Sequence, residues 1–268
     1  MADSIFIPTG DGRFEPTEHA RGPWDPRALH GGAPAALIAQ AFEHMEPGVQ
    51  LLIARLGFQL LKPIPLAPLT LKTRFVRTGR RVQELAAELS ANLDSGGGEE
   101  LVCRASALRI QPVPGDLPGS GQAPPAAMPS PEHGRAVEYA LNRAAGTSFA
   151  TSGMEMSWLN DPWGEGPGKV WMRLRHPLLP GESPTPLARL VAAADFGNGV
   201  SAELPFEDYL FINADLTIHL WRGPRGEWIG LDAQTLLQGG GMGVAESVLH
   251  DEQGAVGRAF QTLVVQPR

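Results

Sequence analysis

The sequence predicts an α+β fold of two fused modules, each a long antiparallel sheet wrapped around one apolar helix. Three observations predict it. The chain repeats a pattern of apolar runs, each repeat places one helical segment ahead of its strands, and a Pro/Gly-rich segment separates the repeats. The separator, PVPGDLPGSGQAPPAAMPSPEHG, resists both helix and sheet. It divides the 268 residues into modules at 1–111 and 136–268, joined by an exposed linker at 112–135.

The repeat is legible segment by segment. LGFQLLKP from Leu56 matches LTIHLWRGP from Leu216, and each is followed by a second apolar run and a glycine, Gly79 or Gly239. The last strands of each half break at an Asp-containing, Gly-ending turn and resume through Arg104-Ala105 or Arg258-Ala259. The helical segments are PAALIAQAFEHM, after His30-Gly31-Gly32, and PLARLVAAAD, after Ser183-Pro184-Thr185. Thr185 fits an N-cap, with Pro186 at the first helical position, where a missing N–H costs nothing. One apolar helix followed by about four alternating strands implies a sheet curled around that helix. That is the hotdog arrangement, here a double hotdog.

Composition sets bounds on function. Hydrophobic residues are 43% and charged residues 19%, as in a globular enzyme. The net charge of −7, with Lys62, Lys72 and Lys169 the only lysines, argues against nucleic acid or an anionic membrane as partner. No stretch approaches the roughly 20 apolar residues that span a bilayer, so no membrane insertion is expected. The N-terminal residues have no basic or apolar signal region, and a cytoplasmic location is expected. Cys103, the single cysteine, lies in the apolar run LVCRASAL and reads as packing rather than as a nucleophile. The histidines form no metal-binding motif, so no metal is expected.

Several motifs lead nowhere. GGGMG at Gly239–Gly243 precedes a strand slot rather than a helix, so it reads as a strand connection and not a phosphate loop. Ser95–Gly98 reads as a hairpin turn. GTSFA around Ser148 lacks the final glycine of a nucleophile elbow.

Other residues put polar groups where a core belongs. Leu187, Leu190, Val191 and Ala194 share a helical face, and the stripe continues through Asp195. A carboxylate there needs a partner, unless the helix stops at Ala194 and Asp195 opens the loop FGNG. In the last strand, period two places Gln261 on the face of Gly257, Ala259, Leu263 and Val265. The matching slot of the first half holds Ala107, which suggests one working half and one degenerate half. Asn213 opens the strand NADLTIHLW, on the face of Asp215 and Thr217, and either lines a pocket near Asp195 or satisfies the strand end. His30 either orients water or caps the helix. Gly31 and Gly32 let backbone N–H groups approach a ligand and bind a developing oxyanion. Arg77, Arg80 and Arg81 are candidates for phosphate contacts or simply a solvated hairpin face.

The chain resembles the TesB-like acyl-CoA thioesterases of the double-hotdog group over nearly its whole length. The resemblance is carried by Trp24–Leu37 with its HGG, by AAADFGNG around Asp195, by FINADLTIHL and by LHDEQGAVGRAFQTLVV, the last being the most specific. It implies hydrolysis of a fatty-acyl thioester to free acid and coenzyme A, with no cofactor beyond the coenzyme A of the substrate. It further implies that Asp195, Gln261 and a third residue position a water. The third position, a threonine in well-known members, is Asn213 here. A homodimer is expected by analogy. Two alternatives stay open: a non-catalytic acyl-CoA-binding module, and an enoyl-CoA hydratase, since Asp25 and His30 have the D-x4-H spacing of hotdog hydratases.

Overall fold

The computed structural model describes residues 3–46, 48, 50–93, 98–113, 125–136, 146–161 and 166–268. The first half supplies β1 (Phe6–Gly10), β2 (Arg13–Pro16), α1 (Gly32–His44), β3 (Leu52–Leu60), β4 (Leu69–Thr78), β5 (Val82–Asn92) and β6 (Glu99–Ile110). The second supplies β7 (Met154–Trp158), β8 (Gly168–Leu174), α2 (Pro186–Ala194), the one-turn α3 (Gly197–Val200), β9 (Tyr209–Asn213), β10 (Asp215–Leu220), β11 (Ile229–Gln238), β12 (Met242–Asp251) and β13 (Gly254–Pro267). The strands form one antiparallel sheet in the order β1-β2-β4-β5-β6-β3-β10-β13-β12-β11-β8-β7, with β9 also on β13. The fold is the α+β double hotdog.

The seam between the halves is the β3–β10 ladder, where Gly57 pairs with Thr217. Pairing repeats about that point: Leu71 faces Leu89 in one half as Leu231 faces Leu249 in the other. Leu85 faces Ala107 where Ala245 faces Gln261. Ile53 faces Arg109 where Asn213 faces Leu263. The repeat read from the sequence is therefore a two-fold repeat of strand register, and Ala107 does occupy the slot of Gln261.

The sheet encloses α1 and α2, which lie against each other in antiparallel fashion. The close fit comes from small residues: a Cβ on Gly32 would sit 2.7 Å from the Ala192 carbonyl oxygen. Ala33, Ala36 and Ala39 of α1 and Ala188, Ala192 and Ala193 of α2 are fully buried. The N-terminus of α1 thus meets the C-terminus of α2, and Gln40 and Glu43 near the end of α1 bond Glu182 and Thr185 at the start of α2. The cap expected at Thr185 is present, its hydroxyl accepting from the Ala188 N–H at 3.1 Å with Pro186 in the first turn.

Several sequence expectations meet their structure here. Gly239–Gly241 turns the β11–β12 hairpin, with positive φ at Gly240 and Gly241. Arg77, Arg80 and Arg81 are exposed on the β4–β5 hairpin. Residues 94–97 of the expected Ser95–Gly98 turn and residues 114–124 of the expected linker lie outside the described residues. The described part of that segment is exposed but tied down, Trp171 Nε1 donating to the Pro129 carbonyl at 2.7 Å and Ser157 to that of Pro131 at 2.6 Å. Among the described residues no helix is long and apolar enough to cross a membrane.

Candidate active site

Helix α2 ends at Ala194, and Asp195 is its C-cap, so the loop expected after Ala194 is a turn into α3 rather than a continuation of the stripe. Asp195 is nonetheless only 4% exposed. Its carboxylate is held by two groups from other elements. Asn213 Nδ2 donates to Oδ1 at 2.7 Å, and His30 Nδ1 lies 3.0 Å from Oδ2.

Asn213 reaches the interior through an irregularity that the alternation in the sequence does not reveal. The expectation put it on the opposite face from Leu216 and Ile218, yet all three are buried. The β9 and β10 registers on β13 differ by one residue, with Ala214 between them donating its N–H to the Thr262 carbonyl. A one-residue slip turns a side chain to the other face, and here it turns Asn213 toward Asp195.

Gln261 is 2% exposed on the inner face of β13, as period two requires. Its amide is spent on backbone: Nε2 donates to the Asp195 carbonyl at 3.0 Å, and Oε1 accepts from the Asn198 N–H at 2.9 Å. It clamps the turn that carries Asp195. Asn198 extends the clamp by donating to the Phe211 carbonyl at 2.9 Å, tying the same turn to β9. The role of Asn198 was missed in the sequence, although FGNG belongs to the segment that carries the resemblance. Gly197 makes room for the clamp, because a Cβ there would lie 2.7 Å from Gln261 Oε1.

The HGG segment starts α1 directly beneath the carboxylate. A Cβ on Gly31 would stand 2.8 Å from Asp195 Oδ2. The glycines thus admit Asp195 itself to the helix start. In the first turn, Ala33 spends its N–H on the His30 carbonyl, Ala35 on that of Gly31, and Pro34 has none. The Gly32 N–H points at His30 Nδ1, 3.1 Å away. The His30 ring stacks on Phe196 at 4.1 Å and leans on Phe149 at 5.3 Å. Phe149 opens a wide helical turn capped by the Ser148 hydroxyl, which explains Ser148 without a nucleophile. His30, Gly31, Gly32, Asp195, Asn213 and Gln261 are thus brought together.

Nearby groups take other roles. Cys103 on β6 is 1% exposed, and burial, with the charge of Asp195, pushes its thiol up to about 12. Packing is its role, as expected. Asp25 bonds Arg27 and lies on the surface, so it forms no pair with His30, and Arg27 holds its carboxyl below the usual range. The geometry offers the hydratase reading no support. Among the described residues no cluster of His, Cys, Asp and Glu could hold a metal. Two surface cavities, of about 350 and 700 Å³, lie elsewhere, around Arg173 and His176 and around Met128 and Trp228.

Comparison with known proteins agrees with the fold. Residues 20–110 match the acyl-CoA thioesterase N-terminal domain family and residues 114–265 the acyl-CoA thioesterase C-terminal domain family. Among curated proteins no match is found. Similar solved structures include a conserved protein of unknown function with a hotdog fold from Alicyclobacillus acidocaldarius (16% identity, TM-score 0.72, covering 98% of this chain and 97% of that one). Another is the acyl-CoA thioesterase II TesB2 of Mycobacterium marinum (16% identity, TM-score 0.65, 98% and 96% covered). The tesB protein of Mycobacterium avium subs paratuberculosis is similar too (12% identity, TM-score 0.62, 98% and 96% covered). At such identities these structures speak for the fold alone. The two domain families, matched in order along the sequence, show that this chain belongs to the acyl-CoA thioesterase family, here in a double-hotdog fold.

Proposed function

We propose that the protein hydrolyses a fatty-acyl or related acyl-CoA thioester, with Asp195 as general base. The observation that carries this reading is the buried Asp195 carboxylate, held by Asn213 and His30 at the N-terminus of α1. The carboxylate is held by an amide and an imidazole, within reach of a water that would give up its proton. Asp195 accepts a proton from water, whose oxygen forms a bond to the thioester carbonyl carbon. The carbonyl oxygen becomes an oxyanion, met by N–H groups at the start of α1, at Gly31 and at Gly32 once its N–H is released from His30 Nδ1. Collapse breaks the C–S bond, and coenzyme A leaves as a thiolate that takes the proton from Asp195. Asn213 fixes one carboxylate oxygen. Gln261 fixes the turn, and its second amide hydrogen offers the water a donor.

In this reading coenzyme A enters only as part of the substrate, with no further cofactor. A homodimer in the cytoplasm is the proposed working form. The test is free-thiol release from a panel of acyl-CoA esters. Turnover by the wild type, lost in a folded Asp195→Asn variant, supports the reading. Undiminished turnover in that variant sinks it, and tight binding without turnover across the panel points to a ligand-binding module.

A further inference from the structure

One nitrogen at the site has two claimants. His30 Nδ1 is 3.0 Å from Asp195 Oδ2 and 3.1 Å from the Gly32 nitrogen. A ring nitrogen either carries a hydrogen and donates or is bare and accepts, so it serves one of them at a time. With the hydrogen on Nδ1, it donates to an ionised Asp195, and the Gly32 N–H loses its acceptor. With Nδ1 bare, it accepts from Gly32, and Asp195 Oδ2 must itself carry a proton to bond it.

We propose that His30 is a positioning residue that couples the charge of Asp195 to the availability of the Gly32 N–H. The reaction needs an ionised base and an open donor at the helix start, and the Nδ1–H tautomer supplies both together. This rests on the thioester-hydrolysis reading for its kinetic consequence, but not for its geometry. The ring packs against both Phe196 and Phe149, which also touch each other, and these contacts hold it beside the carboxylate. Glycine at position 31 is required for the contact, because a Cβ there would meet both carboxylate oxygens. Facing Asp195 from β6 is Cys103, whose thiol stays protonated at working pH and adds no competing charge. A second-layer partner that fixes a histidine tautomer is a general device, and here the carboxylate does it.

The test compares His30→Phe, which keeps the ring stack without a donor, with His30→Asn, whose amide nitrogen takes the place of Nδ1. In His30→Phe, kcat for thiol release falls about 10- to 100-fold with KM nearly unchanged. The acid limb of its pH–rate profile moves to higher pH, because a donor that favoured the charged carboxylate is gone. In His30→Asn most of the rate and the original limb return. An unmoved limb in His30→Phe, or no recovery in His30→Asn, overturns the proposal. A measurement independent of turnover is the ¹⁵N ring shift of His30. The wild type carries its hydrogen on Nδ1. In Asp195→Asn the amide N–H faces Nδ1 and the hydrogen moves to Nε2. A bare Nδ1 in the wild type, or the same tautomer in both proteins, defeats the coupling even if no acyl-CoA proves to be a substrate. Absence of turnover in the wild type defeats only the functional reading.

Discussion

The two ends of the antiparallel helix pair occupy equivalent places in the repeat but hold different chemistry. Counted from Pro34 and Pro186, Glu43 is the counterpart of Asp195. Each carboxylate sits where one helix ends and the other begins. At the Asp195 end the partners are His30, Asn213 and, through the backbone, Gln261. At the Glu43 end the positions of Asn213 and Gln261 hold Ile53 and Ala107, and the carboxylate accepts from the Thr185 hydroxyl. Arg109, in the slot of Leu263, donates to the Phe42 carbonyl and caps α1. Burial raises the Glu43 carboxyl, offset in part by Thr185, His44 and Arg109. The difference teaches that a carboxylate at a helix end is not thereby a base. One end has donors arranged around a carboxylate, while the other has become a clamp between helices.

The comparison breaks most sharply at Asp195. Asp195→Asn keeps the Asn213 contact through its amide oxygen, and thiol release is expected to fall on the order of 10³-fold, within the range for loss of a general base. Gly31→Ala should come next. Its Cβ displaces the carboxylate from the helix start, lowering kcat at least 10-fold by the sensitivity of such geometry, with near-native circular dichroism as the control. Gln261→Leu orphans the Asp195 carbonyl and the Asn198 N–H. That costs about 1–3 kcal/mol for each buried group, read as a lower melting temperature, with a loss in kcat. Asn213→Thr, which can still donate to Asp195, should keep more activity than Asn213→Leu. Equal activities would remove Asn213 from the site. The smallest effect lies at the other end, where Glu43→Gln should leave turnover unchanged. Because the folded Glu43 carboxyl is raised, wild-type stability from this group is fully present below the unfolded carboxyl value and is lost as pH rises through the folded one. Denaturant unfolding at pH 4 and pH 7 should show the variant gaining on the wild type at the higher pH.

Much of this was legible in the sequence, and the boundary has physical causes. Asp195 and Gln261 stood out because local periodicity, helical or alternating, exposes a polar residue in an apolar row. The repeat was legible because paired strands keep their apolar spacing, and the register at Gly57 and Thr217 agrees with it. Asn213 was assigned to the wrong face, since alternation is blind to a bulge set by backbone bonding at Ala214. The pairing of His30 with Asp195 was hidden for a different reason. It depends on how two helices from opposite halves pack, and no local pattern records that. Gln261 was expected to hold a water, but its contacts with the backbone turn could be found only from the fold.

The β3–β10 seam also bears on how the molecule assembles. Its partners, Gly57 and Thr217, are separated by more than half the chain, so the seam closes only after most of the sequence is in place. Until then the free edge of β3 can accept a strand from any chain that carries β10. Refolding at high concentration should therefore yield exchanged dimers, in which the first half of one chain pairs with the second half of another. Such a dimer would still be active, because His30 and Asp195 come from opposite sides of that seam. Two impaired single-site variants, His30→Phe and Asp195→Asn, refolded together would then recover one intact site in each mixed pair.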